Sequence, residues 1–178
     1  APKPVPGGQV PAELLSPNPP STSTTLPSGG VPFYVYLINQ QLQLQGYART
    51  VAVKAGLTAI LDYLVAGPST TEQEAGVTTA IPSNTRVLSV TPPNNNLVTV
   101  NFSAEFGSAS GSFQVQAVEQ VVYTIDNTPS LQPTGVPPGV VFEIEGSAIA
   151  VPTGNGIETS QPVTIANYPG ALTTSTTT

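Results

Sequence analysis

Apolar and polar positions between residues 33 and 152 follow two rhythms, period two and helical, and their order along the chain predicts the elements. "FYVYLI" (33–38) sets Phe33, Val35 and Leu37 against Tyr34, Tyr36 and Ile38, as a strand with both faces partly covered does. In "TVAVKAGLTAILDYLVAG", Val53, Leu57, Ile60, Leu61 and Leu64 form one helical stripe, and Lys54, Thr58 and Asp62 share the opposite face. Gly67-Pro68 stops that helix, because glycine suits a C-cap and proline cannot continue the ladder. "RVLSVT" (86–91) and "LVTVNF" (97–102) read as strands joined by a turn in "PPNNN". Val98, Val100 and Phe102 alternate with Thr99 and Asn101, the mark of a sheet with one wet face. A second helix is predicted from about Ser112 to Asn127, with Val118, Val121, Val122 and Ile125 inward and Gln116, Glu119 and Gln120 toward water; Pro129 ends it. "VVFEIEG" (140–146) is a further strand, with Val140, Phe142 and Ile144 inward and Glu143 and Glu145 outward. "AIAVP" (148–152) is its candidate hairpin partner, and "PVTIA" a candidate short edge strand.

The order β-α-β-β-α-β predicts an α+β sandwich, two helices packed on one face of a mainly antiparallel sheet. Three regions follow. Residues 1–31 are proline-rich with little apolar periodicity, and read as an extended arm or tether of polyproline II type. Residues 32–152 form the folded domain. Residues 153–178 read as an irregular C-terminal extension ending in the Thr-rich "ALTTSTTT".

Composition then removes whole classes of chemistry. The 178 residues contain no Cys, His, Met or Trp. An imidazole base, a thiolate nucleophile, a disulfide and a zinc-type metal site are therefore excluded. Charged residues make up 8% of the chain, against roughly 25% in an average soluble domain. The net charge is −6, the wrong sign for neutralising phosphates, so nucleic acid and anionic membrane surfaces are poor partners. No apolar run approaches the ~20 residues of a membrane-spanning helix. A surface built from Ser, Thr, Asn, Gln, Pro and Gly suits a secreted or cell-surface protein. On that reading a signal sequence has been removed before Ala1.

The remaining candidates are carboxylates and one serine. Glu72 and Glu74 follow the Gly67-Pro68 stop, where a catalytic pair and a capping role compete. A glycosidase pair needs two carboxyl groups ~5–9.5 Å apart across a cleft, one of them raised in pKa by burial. Capping requires only Ser69, Thr70 or Thr71 at the start of a short helical turn, whose positive end the carboxylates then answer. The absence of Trp platforms favours capping. Glu143 and Glu145 are expected on a solvated sheet face, with an acidic contact patch or weak Ca²⁺ site as the alternative. Ser103 lacks a histidine partner, and with Lys54 as the sole interior amine candidate it is expected to cap a strand-end turn. "GSASGS" (107–112) has no phosphate-cradling lysine and reads as a connection. No catalytic, cofactor-binding or metal-ligating residue is assigned, and no cofactor is expected.

"LVAGPSTTEQEAGVTTAIPSNTRVLSV" (64–90) resembles the centre of the GerMN domain, a family named for the sporulation and germination protein GerM. The family shows a Leu-x-x-Gly-Pro helix end, an acidic loop with a Gly, and an Ala-Ile-Pro type turn before a strand. "VNFSAEF" (100–106) is similar to its Val-Asp-Leu-Ser strand end followed by Phe, with Asn101 in place of Asp. "QVVYTIDN" (120–127) is similar to its Gln-x-Val-x-Thr-Leu helix segment, with Ile125 in place of Leu. "VVFEIEG" is similar to its closing strand. The resemblance spans roughly residues 32–150 and implies a setting more than a reaction. Such domains lie outside the cytoplasmic membrane, often in lipoproteins, resemble ring-building modules, and occur beside peptidoglycan-active domains.

The resulting expectation is a non-catalytic cell-surface or extracellular structural module, self-assembling through its N-terminal arm and a sheet edge. Its partners would be copies of itself or another envelope protein, with peptidoglycan as a further candidate. The alternatives are a monomeric, tethered envelope lipoprotein domain and, more remotely, a carboxylate-dependent cell-wall hydrolase.

Overall fold

The computed structural model describes residues 29–128, 132 and 135–171. Most of the expected arm, the Thr-rich tail from residue 172 and the stop at Pro129 lie outside the described residues. The fold is α+β, with helices packed against antiparallel and mixed sheets.

Strand β1 (Gly30–Ile38) pairs antiparallel with β2 (Leu44–Ala52), from Gly30 opposite Ala52 to Ile38 opposite Leu44. Phe33, Val35 and Leu37 point into the core as their alternation predicts. Strand β2 escapes the sequence pattern because most of its residues are half-buried, with no clean alternation to detect. The first helix, α1 (Leu57–Ala66), begins after Gly56 and not at Val53. Val53 belongs to the turn leaving β2 and is 65% exposed, so it drops out of the expected stripe. Ile60, Leu61 and Leu64 remain and are buried, contributing about 1.5–3 kcal/mol each. Gly67 takes φ 77° and closes the helix, its N–H donating to the Leu64 carbonyl.

After the short helix α2 (Thr70–Glu74), β3 (Val87–Asn94) and β4 (Leu97–Phe102) form a hairpin. Its turn places Asn95 and Asn96 at φ 50° and 60°, the left-handed pair that matches strand twist and that asparagine tolerates. Helix α3 (Ser112–Asp126) then carries the chain back so that β5 (Gly139–Ile144) lies parallel to β4. Two-residue strands follow: β6 (Ser147–Ala148) pairs with β5, and β7 (Val151–Pro152) with β8 (Glu158–Thr159). The expected partner "AIAVP" is thus divided, its first residue in β6 and its last two in β7. "PVTIA" contributes a single bridge, Val163 to Val140.

One apolar core joins these parts. Phe102 stacks on Phe106 at 4.4 Å between ring centroids, and Phe142 lies 6.0 Å from Phe106. Helix α1 packs beside α3 and against β1 and β3, and α3 runs along β1 and against β7. The region after residue 152 also reaches this core: Tyr168 is fully buried, and its hydroxyl donates to the Pro152 carbonyl at 2.9 Å.

Gln120 departs from expectation. It is fully buried rather than facing water. Its Oε1 accepts from the Ala80 N–H at 2.7 Å, and its Nε2 donates to the Tyr36 carbonyl at 2.9 Å. One turn on, Thr124 Oγ1 accepts from the Tyr36 N–H at 3.1 Å and donates to the Gln120 carbonyl at 2.7 Å. The two polar side chains of "QVVYT" therefore occupy the outer edge of β1 and tie it to the "TTAIP" crossover.

Candidate functional site

The acidic residues do not converge. Ser69 is the N-cap of α2: its Oγ accepts from the Glu72 N–H at 3.4 Å, and Glu72 Oε2 accepts from the Ser69 N–H at 2.8 Å. This is a capping box. Arg49, from β2, grips the same carboxylate with two bonds, Nη1 to Oε1 at 2.8 Å and Nη2 to Oε2 at 2.7 Å. The Arg49 hydrogen bond holds the Glu72 pKa below its usual value, the opposite of what a general acid needs. Glu74 stands at the far end of α2, exposed, and so does not answer the helix's positive end.

Glu143 and Glu145 do not share a strand face. Glu145 sits at φ 49° in the turn after β5, and its Oε1 accepts from the Ala104 N–H at 3.1 Å. The Glu145 carboxylate thus caps the 3₁₀ turn Ala104–Ser108, the task expected of Ser103. Ser103 is fully buried and instead accepts from the Arg86 N–H at 3.0 Å, extending the β3–β4 ladder. Lys54 is exposed in the turn after β2. Among the described residues no group of three or more acidic side chains could hold a metal ion.

Two surfaces with unused bonding capacity stand out among the described residues, and β3 is a further sheet edge. The first is the outer edge of β2, which among the described residues pairs with β1 alone. Opposed residues of an antiparallel pair direct their amides alike, either both toward or both away from each other. Tyr36 directs its N–H and carbonyl away from β2, toward α3, so Gly46 opposite it directs its own outward. Ala48 and Thr50 follow by the same alternation. Of these groups the Ala48 carbonyl accepts from its neighbour Arg49, and further back along the edge Leu44 N–H donates to the Ala171 carbonyl. The remainder carry no protein partner among the described residues. The adjoining hairpin face carries two aromatic rings, Tyr34 and Tyr36. Tyr34 is half exposed, and the Tyr34 and Tyr36 rings lie across Gly46, where an added Cβ would meet Tyr36 Cζ at 3.3 Å. At the root of β1, Val31, Phe33, Val51, Val53 and Ile60 line an apolar notch of about 190 Å³.

The second is a cleft of about 360 Å³ between the β1–β2 turn, α3 and the segment ending at Ala171. Ile38, Leu44, Val115 and Pro169 contribute apolar wall, and Glu119 the one ionisable group among the described residues. Burial pushes the Glu119 carboxyl up to about 7. Further along α3, Asp126 is 3% exposed; Oδ2 accepts from the Ile165 N–H at 3.1 Å while Oδ1 is buried with no protein partner among the described residues. Burial raises Asp126 to about 6, against the opposing effect of that hydrogen bond. The sequence pattern misses both groups, since a carboxylate on a helix is ordinarily assigned to water. Both carboxylates act on the Tyr123 phenol, whose pKa burial raises and their charges raise further.

A family model described as "Germane: Sporulation and spore germination" matches residues 34–150. The structure resembles the tandem GerMN domains of the sporulation protein GerM from Bacillus subtilis, with TM-score 0.55 and 18% identity over 76% of this chain and 46% of that one. This chain thus spans about half of that tandem structure. The first GerMN domain alone gives TM-score 0.54 and 19% identity over 75% of this chain and 97% of that chain. A Clostridium perfringens protein described as a lipoprotein gives TM-score 0.51 and 18% identity, covering 82% and 94%. No curated protein matches the chain. At such identities these structural likenesses are ones of fold.

Proposed function

The chain belongs to the Germane family of sporulation and spore germination domains, and from that premise we propose that it is a non-catalytic structural module outside the cytoplasmic membrane. It assembles with copies of itself through the open edge of β2, aided by its N-terminal arm. The observation that carries this reading is the run of outward amides at Gly46, Ala48 and Thr50. An unpaired edge of this kind is a template for another strand. The arm leaves the domain beside the apolar notch at Val31 and Val53, which suits contact with a neighbour. A chain with four bases and ten acids also has few charges to strip of water when neutral surfaces meet. The family description names a process and no reaction.

Light scattering of the full chain, of a form lacking residues 1–28, and of Ala48→Pro tests this. Proline at 48 removes an outward N–H while sparing the ladder to β1. Oligomers from the full chain, weakened in the deletion and abolished in a normally folded Ala48→Pro, are expected. A full chain that stays monomeric at high concentration would sink the assembly. It would favour the second reading, a tethered monomer that binds another envelope protein or peptidoglycan, supported by the likeness to a protein described as a lipoprotein.

A further inference from the structure

The Glu119 cleft has a chemistry separate from the β2 edge. Glu119 is half-buried on α3, and its carboxyl makes no hydrogen bond to protein among the described residues. Among the described residues no Lys or Arg lines the cleft; the polar groups beside it are the neutral Gln43, Ser112 and Gln116. The titratable groups that feel its charge are Tyr123 on the same helix and Tyr168 on the facing segment, both already raised by burial and pushed further by it. Those phenols add no cation. At the rim, Leu42 takes φ 60°, in the left-handed region, and is 75% exposed. The site is thus a carboxyl without a cation beside it among the described residues, in a cleft with both polar and apolar lining.

We propose that this cleft binds a primary alkylammonium group of lysine type, the ammonium on Glu119 and the methylene stem between Ile38, Val115 and Pro169. The supporting observations are charge complementarity and shape. A volume of about 360 Å³ lies at the lower end of small-ligand sites, enough for one side chain and too small for a folded partner. Long amines bury their stems along apolar surface while the charged head meets an acid. A cation on Glu119 favours its ionised form, so binding releases a proton and strengthens as pH rises through about 7.

The test is a titration of the full chain with N-acetyl-lysine amide and, in parallel, with N-acetyl-norleucine amide, which keeps the four-carbon stem and lacks the amine, followed by NMR. The lysine probe should shift Leu42, Val115 and Ala171, and lower the titration midpoint of the Glu119 carboxyl. Its affinity should rise about tenfold from pH 6 to pH 8, tracking the ionised fraction of an acid that titrates about 7. Glu119→Gln, with an otherwise unchanged spectrum, should abolish that pH dependence and leave the lysine probe no tighter than the norleucine one. Equal affinity of the two probes, a pH-independent affinity for the lysine probe, or shifts confined to residues outside the cleft would each overturn the proposal. If Glu119→Gln does not fold, the comparison of the two probes across pH on the natural chain decides alone.

Discussion

Gln120 shows how much a single polar residue can decide. It lies in the core, yet its amide is satisfied on both sides by backbone groups 40 and 84 residues away in sequence. Deleting the side chain would leave the Ala80 N–H and the Tyr36 carbonyl buried without partners, and open a void. Gln120→Ala is therefore expected to lower stability by about 2–4 kcal/mol in urea titration, most of it from the stranded groups. A loss under about 1 kcal/mol would mean that water replaces the amide. Sequence periodicity assigns Gln120 to the wet face because it treats polarity as exposure. The only hint otherwise is the family-like "Gln-x-Val-x-Thr" spacing, which places Gln120 and Thr124 one turn apart on the side facing β1.

At the scale of elements, α2 poses a stability problem. Five residues are far too few to hold a helix by propensity alone. The capping box and the Arg49 fork hold it instead, which also explains why Glu72 lies on α2 without being a catalytic acid. Glu72→Ala is expected to cost about 1–2 kcal/mol, combining a lost cap partner with a largely shielded ion pair. In a double-mutant cycle with Arg49→Ala the losses should be less than additive. The amides of Gln73 and Gly76, bonded to Ser69 and Gln73 carbonyls, should exchange faster in the variant. Fully additive losses, with unchanged exchange, would show that Arg49 and Glu72 act independently. Helix α2 was legible as a cap motif in "STTEQE"; its clamp was not, because Arg49 lies on β2, a strand without visible alternation.

For the molecule as a whole, buried acids set the response to pH. Glu119 and Asp126 are raised by burial above their ordinary values of 4.5 and 3.8. The folded state thus prefers their protonated forms, and the stability they contribute is present at low pH and lost as pH rises through about 6 and about 7. Glu72 is lowered, so its contribution is present above 4.5 and fades as pH falls below it. The expected unfolding profile rises as pH drops from about 8, peaks between about 4 and 5, and falls in stronger acid. Relief of self-repulsion at a net charge of −6 acts in the same direction on the upper limb. Glu119→Gln with Asp126→Asn separates the two: the upper limb should flatten in calorimetry, and an unchanged limb would assign it to net charge.

The chain's own pattern determined the order of its main strands and helices, the stop at Gly67-Pro68, the capping role of Glu72 and, through motifs in order, the family. These are local or periodic properties, written within a few residues or along one face of an element. Tertiary structure alone decided the identity of β2, the burial of Gln120, the capping of Ala104 by Glu145, and the contribution of Tyr168 to the core. It also placed Glu119 in a cleft and, among the described residues, left most of the outer edge of β2 without a partner. Each of those depends on partners tens of residues away, and whether a polar group is satisfied, stranded or exposed is a property of its neighbours in space.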